Sequence, residues 1–175
     1  MEYEFTLRFK VPEDQRDLGE LVERLGECGC NDSMVGTGVN GRIALEFVRE
    51  ATTAEHAILS AIRDVRKAIR GAELIEASPD LVGLSDVAEC FGVSRQYVRK
   101  LTIHHGETFP TPIHQGNPSL WHMSQVLEWV NANGIFEVNG NLLEIAKIAM
   151  QVNQAKVPHH LAVELARKIK AVLAQ

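Results

Sequence analysis

The densest chemistry in this sequence lies in one short stretch, Ser94-Arg95-Gln96-Tyr97-Val98-Arg99-Lys100-Leu101. Arg95, Gln96, Arg99 and Lys100 recur at helical spacing, so a helix turns them outward while Val98 and Leu101 point back. An arginine fork pairs with O6 and N7 of guanine, and a glutamine amide with N6 and N7 of adenine, each through two hydrogen bonds. Lysine neutralises phosphate. The same composition also describes an ordinary solvated helix face. The elements around the stretch decide between the two.

Upstream, Leu84-Ser85-Asp86-Val87-Ala88-Glu89-Cys90-Phe91 reads as a short helix capped by Ser85. Gly92 permits a tight turn, and Ser94 caps the helix that follows. Ala88 must be small because the helices cross there, and Val87, Phe91, Val93 and Val98 form the small core between them. Two capped helices around a glycine at this spacing form a helix-turn-helix, whose second helix enters the major groove N-terminus first. A wing hairpin is expected over Thr111 to Trp121, with His114, Gln115, Gly116 and Asn117 near its tip, able to touch the minor groove or the backbone. Tyr97 can stack, reach a phosphate or pack on the wing. Trp121 and Trp129 read as core anchors, since each buries a large area. The expected contact set is therefore Ser94, Arg95, Gln96, Tyr97, Arg99 and Lys100 from the helix and His114, Gln115 and Asn117 from the wing.

The run Leu84-Ser-Asp-Val-Ala-Glu-Cys-Phe-Gly-Val-Ser-Arg-Gln-Tyr-Val-Arg-Lys100 resembles the MerR-like and excisionase (AlpA-type) winged helix-turn-helix domains. Those domains often continue as Phe-Pro-x-Pro, a glycine turn, a tryptophan and a helix ending in tryptophan. Here the chain has Phe109-Pro110-Thr111-Pro112, then Gly116, Trp121 and Trp129. The resemblance covers about residues 81–131. It implies a DNA-binding protein of bacterial or phage type.

The first 80 residues need a separate reading. Tyr3, Phe5, Leu7 and Phe9 alternate with Glu4, Thr6, Arg8 and Lys10, the period of a half-buried strand that Pro12 ends. Leu18, Leu21, Val22 and Leu25 have helical spacing, with Gly26 and Gly29 marking the exit. Asp32 to Val35 and Arg42 to Val48 read as strands, the latter with Ile43, Leu45 and Phe47 on one face. Thr53 begins a helix with the stripe Ile58, Ala61, Ile62, Val65 and Ile69, stopped by Gly71. Glu73 to Ala77 is a fourth strand. The order βαββαβ predicts a ferredoxin-like domain over 1–78, with two helices on one side of an antiparallel sheet. The outward positions Glu4, Thr6, Arg8, Arg42, Ala44, Glu46 and Val48 include no aromatic to stack on bases, which excludes an RNA-recognition surface. Such an uncovered face more often dimerises, binds a protein or packs on another domain. Gly36-Thr37-Gly38-Val39-Asn40-Gly41 matches the G-x-G-x-x-G pattern but precedes a strand. It reads as a hairpin loop, not a dinucleotide site.

Composition bounds the remaining possibilities. The 175 residues have a formal net charge of −5, 45% hydrophobic and 23% charged residues. Residues 1–80 carry −6, 81–125 are neutral and 126–175 carry +1. Cys28, Cys30 and Cys90 give no disulfide framework and lack the ligand spacing of structural zinc. His104, His105, His114 and His122 around the wing, and His159-His160 near the last helix, read as surface or phosphate-contacting groups. Ser, His and carboxylates show no positioned nucleophile and base. No enzyme activity, metal or cofactor is expected. The acidic N-terminus is no secretory leader, and no segment approaches 18 uninterrupted apolar residues, so a cytoplasmic protein without membrane insertion is expected.

After the loop-like interval Asn131 to Gly140, a C-terminal helical arm is expected over 141–175. Asn141 caps a helix carrying Leu142, Leu143, Ala146, Ile148, Ala149 and Val152. Pro158 opens another with Leu161, Ala162, Leu165, Ile169 and Val172. These helices must pack on the other domains or on a second subunit, and dimerisation is the favoured outcome. The reading is thus an α+β chain: a ferredoxin-like domain, a winged helix-turn-helix over 81–131 and C-terminal helices. It implies a sequence-specific double-stranded DNA binder acting as a homodimeric transcriptional regulator. Few cations mean few phosphate contacts per subunit, which a dimer doubles. The alternatives are an antitoxin-like protein whose N-terminal domain holds a protein partner, and an excisionase-like architectural DNA binder.

Overall fold

The structure, a computed structural model, describes residues 1–156 and 163–173. Pro158, Leu161 and Ala162 of the expected last helix, and the pair His159-His160, lie outside the described residues. The chain is α+β, with a small antiparallel sheet and seven α-helices among the described residues.

Strand β1 (Glu2–Lys10) pairs antiparallel with β3 (Arg42–Glu50), from Glu2 opposite Glu50 to Lys10 opposite Arg42. The short β2 (Ser33–Gly36) flanks β3, and β4 (Glu73–Ser78) flanks β1, giving the order β2-β3-β1-β4. Alternation decides the faces: Tyr3, Phe5, Leu7 and Phe9 are buried, as are Ile43, Leu45 and Phe47. They pack under α1 (Leu18–Glu27) and α2 (Ala54–Ala68), with Leu21, Leu25, Ile58, Ala61 and Val65 opposite them. Both helices start at side-chain caps. Asp17 Oδ1 accepts the Glu20 N–H at 3.0 Å, and Thr53 Oγ1 accepts that of His56 at 3.1 Å. The expected stripe of α1 is too wide, for Leu18 and Val22 are 48% and 46% exposed. The Gly36–Gly41 run joins β2 to β3 and opens no helix. Gly41 has φ +74°, and the Arg16 guanidinium lies where a Cβ would stand.

Arg49 lies on the buried face of β3, following the hydrophobic positions two residues apart. Its five N–H donors meet five acceptors: both Asp32 carboxylate oxygens, Ser60 Oγ, Asp64 Oδ2 and the Gly29 carbonyl, at 2.7–3.0 Å. Burial opposes its charge, but the hydrogen bonds and charges of Asp32 and Asp64 outweigh it and hold its pKa above the ordinary arginine value. The guanidinium also caps the Phe47 ring at 4.9 Å. It fastens α2 to the turn between α1 and β2.

A second core follows. Strands β5 (Leu81–Val82) and β6 (Trp121–His122) pair antiparallel, and α3 (Leu84–Cys90), α4 (Arg95–His104) and α5 (Met123–Ala132) pack around Val82, Val87, Val98, Trp121, Leu127 and Trp129.

Helix α6 (Gly140–Lys156) belongs to both cores. Ile145 and Ala149 lie in the first, joined by Ile148 and Val152, while Ala146 lies in the second, joined by Leu142 and Leu143. A helix apolar on most of its circumference is a buried one, and α6 is packed within the chain, not held out for a second subunit. Its cap differs too. Asn139 Oδ1 accepts the N–H groups of Asn141 and Leu142, whereas the Asn141 side chain donates to the Glu2 carbonyl. In α7 (Val163–Leu173), Val172 and Leu173 are exposed. Among the described residues no helix is long and apolar enough to cross a membrane.

Candidate nucleic-acid interface

Helix α3 starts at Gly83, where Asp86 Oδ2 accepts the Gly83 N–H at 2.7 Å. The cap is therefore not Ser85, which stands inside the helix, exposed. Gly83 backbone is buried and extended, leaving room for the Asp86 carboxylate to reach back. After Phe91, Gly92 takes φ +63°, a left-handed turn that strains any side-chain-bearing residue. The Val93 N–H then returns to the Ala88 carbonyl at 2.9 Å, and Ser94 Oγ accepts the Tyr97 N–H at 3.1 Å. Ala88 is buried at the contact between the helices, and Val98 is the buried residue of α4. Phe91 and Val93 pack beside them, half-buried.

This scaffold leaves Arg95, Gln96, Arg99 and Lys100 exposed. The three cations form no ion pair with a carboxylate among the described residues. Opposite α4, the Ile113 and Leu120 backbones close a hairpin. Leu120 N–H donates to the His114 carbonyl at 3.0 Å and Ile113 N–H to the Leu120 carbonyl at 2.8 Å. The hairpin continues into β6, where Trp121 Nε1 donates to the Pro110 carbonyl at 2.9 Å. Phe109 fits edge-on between Trp121 and Trp129, and both indoles are buried.

Helix and hairpin enclose a groove of about 650 Å³. Arg95 and Arg99 line one wall, with Gln115, Gly116 and Asn117 of the hairpin on the other. Of the expected contact set these come together. Gln96 and Lys100 lie on the neighbouring strip of α4, outside the groove walls but solvent-exposed. Ser94 is committed to its cap. His114 is exposed, and its ring occupies the space above Gly116, where any Cβ would collide with it. Tyr97 turns away from the hairpin: its ring meets Phe136 at 6.0 Å, and Phe136 stacks on Phe91 at 4.6 Å. The hydroxyl-bearing ring thus closes the back of α4 against the segment after α5.

Sequence reasoning overlooked Thr102, Ile103 and Ser119, which also line the groove. Ile103 is 71% exposed and follows Arg95 and Arg99 by successive four-residue steps, a signal present in the sequence. The groove wall also holds Asp86, whose carboxylate is engaged at Gly83.

Among the histidines, His122 is not a surface group. It is 7% exposed, with Nδ1 2.6 Å from Asp80 Oδ1. His105 packs edge-on against Trp129. Burial pushes the Cys30 thiol up to about 11, Cys28 is half-buried and Cys90 is exposed. Among the described residues no three His, Cys, Asp or Glu side chains are grouped to hold a metal ion.

Comparison with protein-family models, with curated proteins and with solved structures finds no match to this chain.

Proposed function

We propose that the chain is a sequence-specific double-stranded DNA-binding protein, acting as a homodimeric transcriptional regulator. In this reading α3, the Gly92 turn and α4 form a helix-turn-helix, the 113–120 hairpin is its wing, and residues 1–78 form a ferredoxin-like domain. The observation that carries it is the groove in which Arg95 and Arg99, without an ion-pair partner among the described residues, face Gln115 and Asn117. Arginine forks four residues apart on an exposed helix match the spacing and donor chemistry of guanine edges in the major groove. Gln96 and Lys100 on the adjoining strip suit an adenine edge and a phosphate. The hairpin is placed to follow the backbone beside the same groove. Support comes also from the order of parts, Phe109-Pro110-Thr111-Pro112, Gly116, Trp121 and Trp129, which follows that of the winged domains the sequence resembles.

The test is a fluorescence-anisotropy titration of the full chain against the duplex upstream of its own gene and a scrambled duplex, at two salt concentrations. Tighter binding to the upstream duplex, weakening with salt, is the expected result. Equal, weak binding to both would overturn the sequence-specific reading.

A further inference from the structure

Helix α4 carries a large hydrophobic side chain in the middle of its charged face. Ile103 is 71% exposed and lines the groove together with Arg95 and Arg99. At about 100° per residue, it falls between the Arg95–Arg99 row and the Gln96–Lys100 row. Val98, which is buried, and Leu101, which is half-buried, lie on the opposite side of the helix. Ile103 is therefore not the fringe of the core beneath α4. Leu84, Pro112 and Leu120, which also line the groove, are half-buried within the chain.

A surface isoleucine by itself carries no meaning, but the company of this one does. Arg95, Gln96, Arg99 and Lys100 are all hydrogen-bond donors, suited to phosphates and to the acceptors of purine edges. An isoleucine among them gains nothing from such groups. On the major-groove edges of the four base pairs, the apolar group is the C5 methyl of thymine. Four residues along α4 span about 6 Å, close to two base-pair rises. A helix that sets Arg99 against a guanine thus brings Ile103 within about two base pairs of it.

We propose that Ile103 is a specificity-determining residue that reads a thymine through its C5 methyl. The proposal rests on the DNA-binding reading above and adds a base to it: the preferred site holds a thymine beside the guanine read by Arg99. Burying the methyl against Ile103 removes apolar surface of both from water, a gain that the other three bases do not offer.

Selection of bound duplexes from a random-sequence pool by the full chain tests this. The wild type enriches a motif with a fixed thymine within about two base pairs of a guanine. Replacing that thymine with deoxyuridine removes the methyl alone and weakens binding about three- to tenfold in an anisotropy titration. Ile103→Ala weakens binding of the thymine duplex by a similar factor and does not distinguish thymine from deoxyuridine. The position is an exposed helical one where alanine is well tolerated, and circular dichroism verifies that the variant is folded. A motif without such a thymine, a methyl deletion without effect, or a deoxyuridine loss undiminished in Ile103→Ala overturns the role of Ile103 and leaves the DNA reader standing. A pool from which the wild type enriches no motif overturns the sequence-specific reading, and the role of Ile103 with it.

Discussion

His122 Nδ1 lies 2.6 Å from Asp80 Oδ1, and both side chains are buried, at 7% and 3% exposure. Asn153 Nδ2 donates to the other Asp80 oxygen at 2.8 Å. The same amide reaches Ala77 with both ends, accepting its N–H at 2.9 Å and donating to its carbonyl at 2.7 Å. Asn153 thereby satisfies the open edge of β4, as a neighbouring strand would. The Asp80 carbonyl accepts the Met123 N–H at 2.6 Å. One carboxylate thus ties together the sheet edge, the base of the hairpin and α6.

Asp80→Ala removes the partner of the buried His122 ring and one acceptor of the half-buried Asn153 amide, and should cost about 2–4 kcal/mol of stability, read by urea unfolding. Asp80→Asn keeps the shape and one acceptor, and should cost less. A loss below about 1 kcal/mol in the alanine variant would contradict the account.

Arg49→Met removes the partner of Asp32 and Asp64, whose side chains are 30% and 31% exposed. Partial solvation of the carboxylates moderates the penalty, to about 2–4 kcal/mol. Arg49→Lys should recover little of it, because three ammonium donors cannot reproduce a five-donor fork. Thermal unfolding of the three proteins checks the order.

Ile145→Ala opens a cavity at the helix shared by both cores and should cost about 2–4 kcal/mol. Trp121 and Trp129 report the second core, whereas far-UV circular dichroism reports the whole chain. In wild type and variant alike the two signals should change together. Separate transitions would mean that α6 does not couple the cores.

The raised Cys30 and Tyr3 pKa values predict a loss of stability on the alkaline side. Burial holds the Cys30 thiol neutral to about 11, while the unfolded thiol ionises near 9.0. Burial, then the charge and hydrogen bond of Glu144, raise the Tyr3 hydroxyl in the same sense. The unfolded state releases these protons first, so the stability is intact below pH 9 and falls as pH climbs toward 11. Urea midpoints from pH 8 to 11 measure the slope, and Cys30→Ala should flatten it.

For DNA, Arg95→Ala and Arg99→Ala should each cost about 1–3 kcal/mol on the specific duplex and little on the scrambled one. Lys100→Ala should weaken both duplexes alike and reduce the salt slope by about 1. Anisotropy titrations separate these patterns. Equal losses on both duplexes for the arginine variants would remove them from base readout.

Much of the local structure was legible in the residues. Alternation over Tyr3 to Phe9 and Ile43 to Phe47 placed β1 and β3 and chose their buried faces. Thr53 and Ser94 marked helix starts, and Gly92 the turn between α3 and α4. Elsewhere a nearer-looking signal lost to a better hydrogen bond: Ser85 and Asn141 yielded their capping roles to the backbone of Gly83, held by Asp86, and to Asn139. Arg95 and Arg99 were readable from helical spacing and Gln115 and Asn117 from the expected wing, but the groove they share was not, because the packing of Phe109, Trp121 and Trp129 sets the hairpin against α4.

The amino-acid sequence alone therefore determined much of what depends on contacts within a few residues: strand faces, the Thr53 and Ser94 caps and the turn glycines. Tertiary structure decided the fates of Arg49, His122, Asn153, Tyr97 and α6. Each looks polar, exposed or singly amphipathic in its own segment. Each is buried or turned aside by partners far along the chain, the Asn153 amide by Ala77 and Asp80, more than 70 residues away. A charge or amide goes inside at little cost when its donors find acceptors, and such a count is complete only once distant segments have met.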